Sequence, residues 1–194
     1  MATVNLEPSS TVSNNWIITS GDGTAHGVLS DSADSSHITV GAQGKICIVQ
    51  LDDYSSGGTI TSIRFYVRGV LFNTRSGNTD IQVILENSSG TALYTETVTL
   101  NFTAGYANED HYGTARTTSD GSSAWTDADL DGLRLNINTS PEDPPAISKA
   151  LVSKASVEVT YSTGYTHSVM GVAGASISTV KGVATADIAE VMGV

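Results

Sequence analysis

The stretch TITSIRFYVRGVL, residues 59–71, alternates between two kinds of side chain. Thr61, Ile63, Phe65, Val67 and Gly69 form one set, and Ile60, Ser62, Arg64, Tyr66 and Arg68 form the other. A period of two belongs to a β-strand, whose successive side chains point to opposite faces, and not to a helix with its period of 3.6. The first set is expected to face a core. A slip of one residue would carry both arginines inside, so the register is strongly specified.

Alternation or a short apolar run recurs in KICIVQL (45–51), DIQVILE (80–86), TALYTETVTLN (91–101), GLRLNIN (132–138) and ALVSKASVEVTY (150–161). Shorter candidates are 14–20, anchored by Trp16, and 37–40. A turn at 87–90 joins two of these strands as a hairpin. Leu133, Leu135 and Ile137 are expected to point inward. Residues 1–13 read as polar and extended, 20–36 as a loop, 139–145 as a Pro-rich turn and 102–126 as a long polar loop. A loop of that length is uncommon in a compact domain and marks function or an assembly surface. About eight strands with few helical patterns give an all-β fold over residues 1–162, an antiparallel, jelly-roll-like β-sandwich.

Residues 163–194 read as a separate tail. From Val169 the sequence runs VMGVAGASIST, VKGVATADIAE, VMGV, an 11-residue unit stated twice and begun a third time. As a strand, the unit puts Val169, Gly171, Ala173, Ala175 and Ile177 on one face. As a helix, Val169, Val172, Ala173, Ser176, Ile177, Val180, Val183, Ala184, Ile188 and Val191 form a stripe. Gly171, Gly182 and Gly193 oppose the helix, so the extended form is favoured, with both left open. The few large aliphatic side chains cannot offset the entropy of ordering this much backbone, so the tail needs a partner. The expected partner is a neighbouring copy of the same chain, reached by β-strand addition. The interface would comprise Val169, Gly171, Val172, Ala173, Ala175, Ile177, Val180, Gly182, Val183, Ala184, Ala186, Ile188, Val191 and Val194. Such head-to-tail contacts generate rings or filaments. Fully extended, the tail would reach about 100 Å.

Charged residues are only 15% of the chain, and Ser, Thr, Gly and Asn fill the gap, which suits a turn-rich β protein or an exterior surface. The net charge of −11 argues against nucleic acid as a partner. Cys47 is the only cysteine, so there is no intrachain disulfide; within an apolar run it reads as a small buried hydrophobe. No apolar run approaches the ~18 residues of a membrane-spanning helix. The N-terminus shows no basic-then-apolar leader, so an extracellular filament or virion released by lysis is expected rather than secretion.

Candidate chemistry is sparse. Asp127, Asp129 and Asp131 with Gly132 match the start of a calcium loop, but its twelfth position is Asn138 and the intervening residues read as strand. An acidic turn is the preferred reading. Asp22, Asp31 and Asp34 make a second acidic loop, a weak candidate for calcium. No other cofactor is expected. His26, His37, His111 and His167 lie far apart, without metal-ligand spacing or a nucleophile motif. Trp16, Trp125, Tyr106 and Tyr112 could build a sugar platform, against the preferred reading of core and loop packing. Asn87, Asn101 and Asn138 begin N-x-[S/T] triplets, common by chance in so Ser/Thr-rich a chain.

The order of several pieces resembles a β-sandwich domain of bacteriophage virion and tail-associated structural proteins. These pieces are the Trp16 strand followed by GVLSDSADSSHITV (27–40), then TITSIRFYVRG (59–69), AWTDADLDGLRLNI (124–137) and SKASVEVTY (153–161). The terminal VxGVAxAxI repeats also look like those of phage and marine viral structural proteins. The resemblance implies a structural role and no catalytic residues. The chain departs from many such proteins in being short, which suits a repeating protomer. The expected function is thus non-enzymatic self-assembly, as protomer of a filament, fibre or virion component. The alternative is a carbohydrate-binding or host-attachment module that meets surface glycans, with the tail as a trimerisation stalk.

Overall fold

The computed structural model describes residues 1–19, 23–31, 33–40, 44–72, 78–101, 107–139, 149–162, 179–180 and 183–184. Two antiparallel sheets pack face to face as a β-sandwich. The first has six strands, in the order β3 (Ile17–Thr19), β4 (His37–Val40), β11 (Lys149–Ser162), β6 (Thr59–Phe72) and β9 (Glu109–Tyr112), with β1 (Ala2–Leu6) pairing β11. The second has five, in the order β2 (Pro8–Asn14), β5 (Ile46–Leu51), β10 (Arg134–Thr139), β7 (Asn78–Glu86) and β8 (Ala92–Asn101). The chain crosses from one sheet to the other between Leu6 and Pro8. Proline suits the start of an edge strand, where no ladder donor is required.

The alternation of 59–71 holds over residues 62–69, but Ile60, expected in the outer set, is buried in the core beside a register shift at Thr160 and Tyr161. Ile63, Phe65 and Val67 are buried, while Arg64, Tyr66 and Arg68 are half-exposed on the outer face. Leu133, Leu135 and Ile137 are fully buried, and Cys47 packs among them in the core. Gly69 and Gly113 are demanded by contact. A Cβ on Gly69 would lie 2.6 Å from the Leu151 carbonyl oxygen, and one on Gly113 would collide with the Phe65 ring.

β11 does not alternate uniformly. Val152 pairs with Gly69 and Lys154 with Arg68, leaving Ser153 as an extra residue. This bulge changes the phase of the strand. Ala150 and Val152 point inward before it, and Ala155, Val157 and Val159 after it. Lys154 is thereby delivered to the outer face. One edge of β11 is shared, with β4 pairing residues 150–152 and β1 pairing residues 157–161; β6 runs along the other edge.

Three expectations need correction. Residues 1–13 contribute two strands, one to each sheet, so the sandwich has more than the eight strands expected. Within 20–36 lies a helix, α1 (Ala25–Ser30), capped by the Thr24 hydroxyl, which accepts from the Gly27 amide at 3.2 Å. It buries Val28 and Leu29 and packs on β2, β4 and β11. One turn interrupted by Gly27 carries too little periodicity to be seen in sequence. Within 102–126 lies β9, an edge strand on β6 whose sequence EDHY has no apolar alternation. After it, the Arg116 carbonyl and amide pair with Ile63.

In the tail, β12 (Thr179–Val180) and β13 (Val183–Ala184) are extended and pair antiparallel, Val180 opposite Val183. The remaining tail positions named for assembly, from Val169 to Ile177, Gly182, Ala186, Ile188, Val191 and Val194, lie outside the described residues.

Candidate functional site

The half-exposed set of β6 is the middle of a polar and aromatic face. Strand register sets it in rows. Glu158 of β11 stands between Asn5 of β1 and Arg64 of β6. Tyr66 stands between Ser156 of β11 and Tyr112 of β9, and Arg68 between Lys154 and Asp110. The bulge at Ser153 is what brings Lys154 into the last row.

Tyr112 is 54% exposed, an unusual state for so large a ring in a strand. Its ring meets Tyr66 at 5.1 Å between centroids and 45°. The Arg64 guanidinium lies over it, 4.5 Å from the centroid, while donating to Glu158 Oε1 at 2.7 Å. The ring is therefore braced from two sides.

Arg68 anchors the other end. Its Nε and Nη2 donate to both oxygens of Asp34 at 2.7 and 2.8 Å, a bidentate pair, and Nη1 donates to Asp110 Oδ1 at 2.6 Å. The Tyr66 hydroxyl donates to the same Asp110 oxygen at 2.8 Å. The Arg68 guanidinium beside it holds the Asp34 carboxyl down at about 2, and Asp110 is lowered by Arg68 and then by the Tyr66 hydroxyl. Desolvation, followed by the Asp110 carboxylate, pushes the Tyr66 phenol up to about 12. Every group in this cluster thus keeps one protonation state through the neutral range. Lys154 pairs with Glu7 at 3.3 Å, and burial raises the Glu7 carboxyl. These half-exposed pairs contribute little to stability; their effect is to fix where donors and acceptors stand.

Two clefts open on this face. One, of about 280 Å³, is lined by Asn5, Tyr66, Tyr112, Lys154 and Glu158. The other, of about 250 Å³, is lined by Asp34, Tyr66, Arg68, Ser153 and Lys154. Ser156 shares the face between Lys154 and Glu158; it is 1% exposed, and its hydroxyl has no protein partner.

Of the aromatics considered as a sugar platform, Tyr112 alone among the three described is displayed. Trp16 and Trp125 are each 4% exposed and belong to the core, with Trp125 Nε1 donating to the Arg116 carbonyl at 2.9 Å. Tyr106 lies outside the described residues. Tyr66, Arg64, Arg68 and Lys154 were not singled out as site residues in sequence, although three of them belong to the outer set of residues 59–71. An Arg-Tyr-Arg row opposite a core row was the available signal.

The acidic loops have local structural duties. Asp129 Oδ2 accepts from the Thr126 amide and hydroxyl in a capping box at the start of α2 (Asp127–Leu130). Asp31 accepts from the Ala33 amide and the Ser36 hydroxyl, and Asp34 is held by Arg68. Asp22 lies outside the described residues, as does His167. Among the described residues no three His, Cys, Asp or Glu side chains are grouped so as to hold a metal ion. His26 Nδ1 meets the Thr11 hydroxyl at 3.0 Å. Burial pushes the Cys47 thiol up to about 12, so it is a packed side chain rather than a thiolate. No helix among the described residues is long and apolar enough to cross a membrane.

No family model matches the chain, and no curated protein does. Among solved structures it is similar to a carbohydrate-binding module, CBM36 in complex with calcium and xylotriose, at 10% identity and a TM-score of 0.44, over 82% of this chain and 100% of that one. It is similar to the Agl-KA catalytic domain at 12% identity and a TM-score of 0.47, over 88% of this chain and 30% of that one. A third likeness is to the arabinose-bound arabinofuranosidase MgGH51, at 9% identity and a TM-score of 0.40, over 77% of this chain and 22% of that one. The chain spans less than a third of the length of those two enzymes. Likeness at this level leaves function to be argued from the chain's own face.

Proposed function

We propose that the outer face of the first sheet binds carbohydrate, with Tyr112 as its stacking platform. The carrying observation is the exposed Tyr112 ring, braced by Tyr66 and Arg64 and bordered by fixed hydrogen-bonding groups. A sugar ring has an apolar C–H face and a rim of hydroxyls. An aromatic face beside donors and acceptors held in place complements both, and holding them in advance lowers the entropy cost of binding. The reading needs no catalytic step. A glycan array probed with the full chain, followed by titration of Tyr112→Ala, tests it. The substitution is expected to weaken binding by about tenfold or more without shifting the unfolding midpoint. Unchanged affinity in Tyr112→Ala, or no glycan bound at all, would refute it.

The repeat in the tail favours a second role, self-association. Its unit recurs at 11 residues, and the tail residues Thr179–Val180 and Val183–Ala184 are extended and paired. Residues 1–162 contain both sheets complete, so their mass in solution can be compared with that of the full chain. Assembly by the full chain alone is expected. Equal assembly by residues 1–162 would remove the tail from this role. A virion or filament setting belongs to this second role.

A further inference from the structure

We propose that the face takes an internal stretch of an uncharged glycan chain, laid across both clefts. This rests on the carbohydrate reading and adds the class of sugar and the way it is held.

Charge argues the first part. Among the described side chains the cations of the face are Arg64, Arg68 and Lys154, and the carboxylates facing them are Glu158, Asp34, Asp110 and Glu7. Each cation has a carboxylate partner, and carboxylates outnumber cations. Among these described groups a uronic or sialic acid would find no free guanidinium or ammonium. It would have to displace a carboxylate from a charge-assisted bond and leave that carboxylate unpaired. The net charge of −11 repels it further. Sugar hydroxyls face no such obstacle, because paired carboxylates still have lone pairs to accept from them.

Shape argues the second part. The two clefts share Tyr66 and Lys154, which form a saddle between them. Neither cleft is an enclosed pocket that would recognise a chain end. From Arg64 to Arg68 along β6 is four residues, about 13 Å at strand rise, which is longer than one sugar ring. The chemistry differs between the two ends. The Tyr112 cleft offers a ring with Asn5 and Glu158 at its border, for stacking with flanking hydrogen bonds. The Arg68 cleft offers Asp34 and Ser153 and, among the described residues, no ring beyond the saddle, for hydroxyl recognition. Between them the unpartnered Ser156 hydroxyl shares the face.

The test uses the full chain on an array of matched uncharged and uronic- or sialic-acid-bearing glycans. It is followed by calorimetric titration of the best uncharged hit as a series of one to six units. The expected result is binding confined to uncharged glycans, with affinity climbing over the first few units and then levelling. Asp34→Asn supplies a second arm. It removes one carboxylate from Arg68 and is expected to admit acidic glycans at least about tenfold better than the parent chain, with the fold checked by its unfolding midpoint. Acidic glycans binding the parent chain as tightly as uncharged ones, or a single sugar binding as tightly as the longest oligomer, would overturn the inference and leave carbohydrate binding standing. Absence of any glycan ligand would overturn both.

Discussion

The outer faces of the two sheets are built on the same scaffold and differ in kind. On the first, Tyr112 is displayed beside Tyr66 and Arg64, and Tyr66 and the three cations are tied to Asp34, Asp110, Glu158 and Glu7. On the second, β10 and its neighbours present Asn136 and Asn138 flanked by Ile46, Ile48, Ile84 and Gln82. Asn136 is only 8% exposed, and it donates to Glu86 Oε1 at 2.7 Å. Among the described residues that second face carries no aromatic ring, since Tyr94 pairs across from the inward Leu85 and lies under Arg116. A polar residue facing away from a core is therefore not one kind of thing. On the second face Asn136 is buried and spends its amide on Glu86, serving the fold; on the first the paired polar groups stand half-exposed around a ring.

That contrast can be broken or sharpened by substitution. The largest effect is expected from Phe65→Ala, which empties the core beneath both faces and should cost about 3–5 kcal/mol of stability in a denaturant titration. Loss of sugar binding without loss of stability would contradict the shared core. Next comes Asn136→Ala on the closed face. It strips the buried Glu86 carboxylate of its donor and should cost about 1–3 kcal/mol while leaving glycan affinity unchanged. A binding defect there would erase the distinction between the faces. Tyr112→Ala should do the reverse, lowering affinity about tenfold with a stability change within about 0.5 kcal/mol. The smallest effect is in acid. Asp34 titrates lower in the folded chain than in the unfolded one, so its contribution is present above the unfolded value and is lost as pH falls toward about 2. Because the carboxylate is half-exposed, that contribution should stay under about 1 kcal/mol. Asp34→Asn should flatten the acid limb of the stability curve by no more than this, and a larger change would show a less screened pair.

Much of the fold was legible because it rests on alternation. Both faces of residues 62–69 and the inward row Leu133, Leu135 and Ile137 follow from a period of two. β9 was not legible, because EDHY is an edge strand held by backbone pairing to β6 rather than by apolar burial. The phase change at Ser153 was hidden for a different reason: an inserted residue looks like imperfect alternation until the partner strand is known. The candidate site was legible only at Tyr112. Asp34, Arg68 and Asp110 come from three distant parts of the chain, so no local spacing joins them. The tryptophans misdirect because a large ring is equally useful as filling for a core.

The shared edge of β11 has a mechanical consequence. Ser162 leads into the tail, and β11 is paired with β6 along its full length. Tension drawn through the tail along the strand axis loads that entire ladder in shear, so its bonds must yield together. Tension applied between Ala2 and Ser162, which leave the sheet at the same end, instead peels β1 from β11, beginning at the Ala2–Tyr161 pair and opening one pair at a time. Single-molecule extension should therefore find a higher rupture force when Ser162 is pulled along β11 against the far end of the sheet than when it is pulled against Ala2. Equal forces would mean that the two ladders bear load alike. Under strain the molecule is expected to release its first strand while the sandwich stays attached to whatever the tail holds.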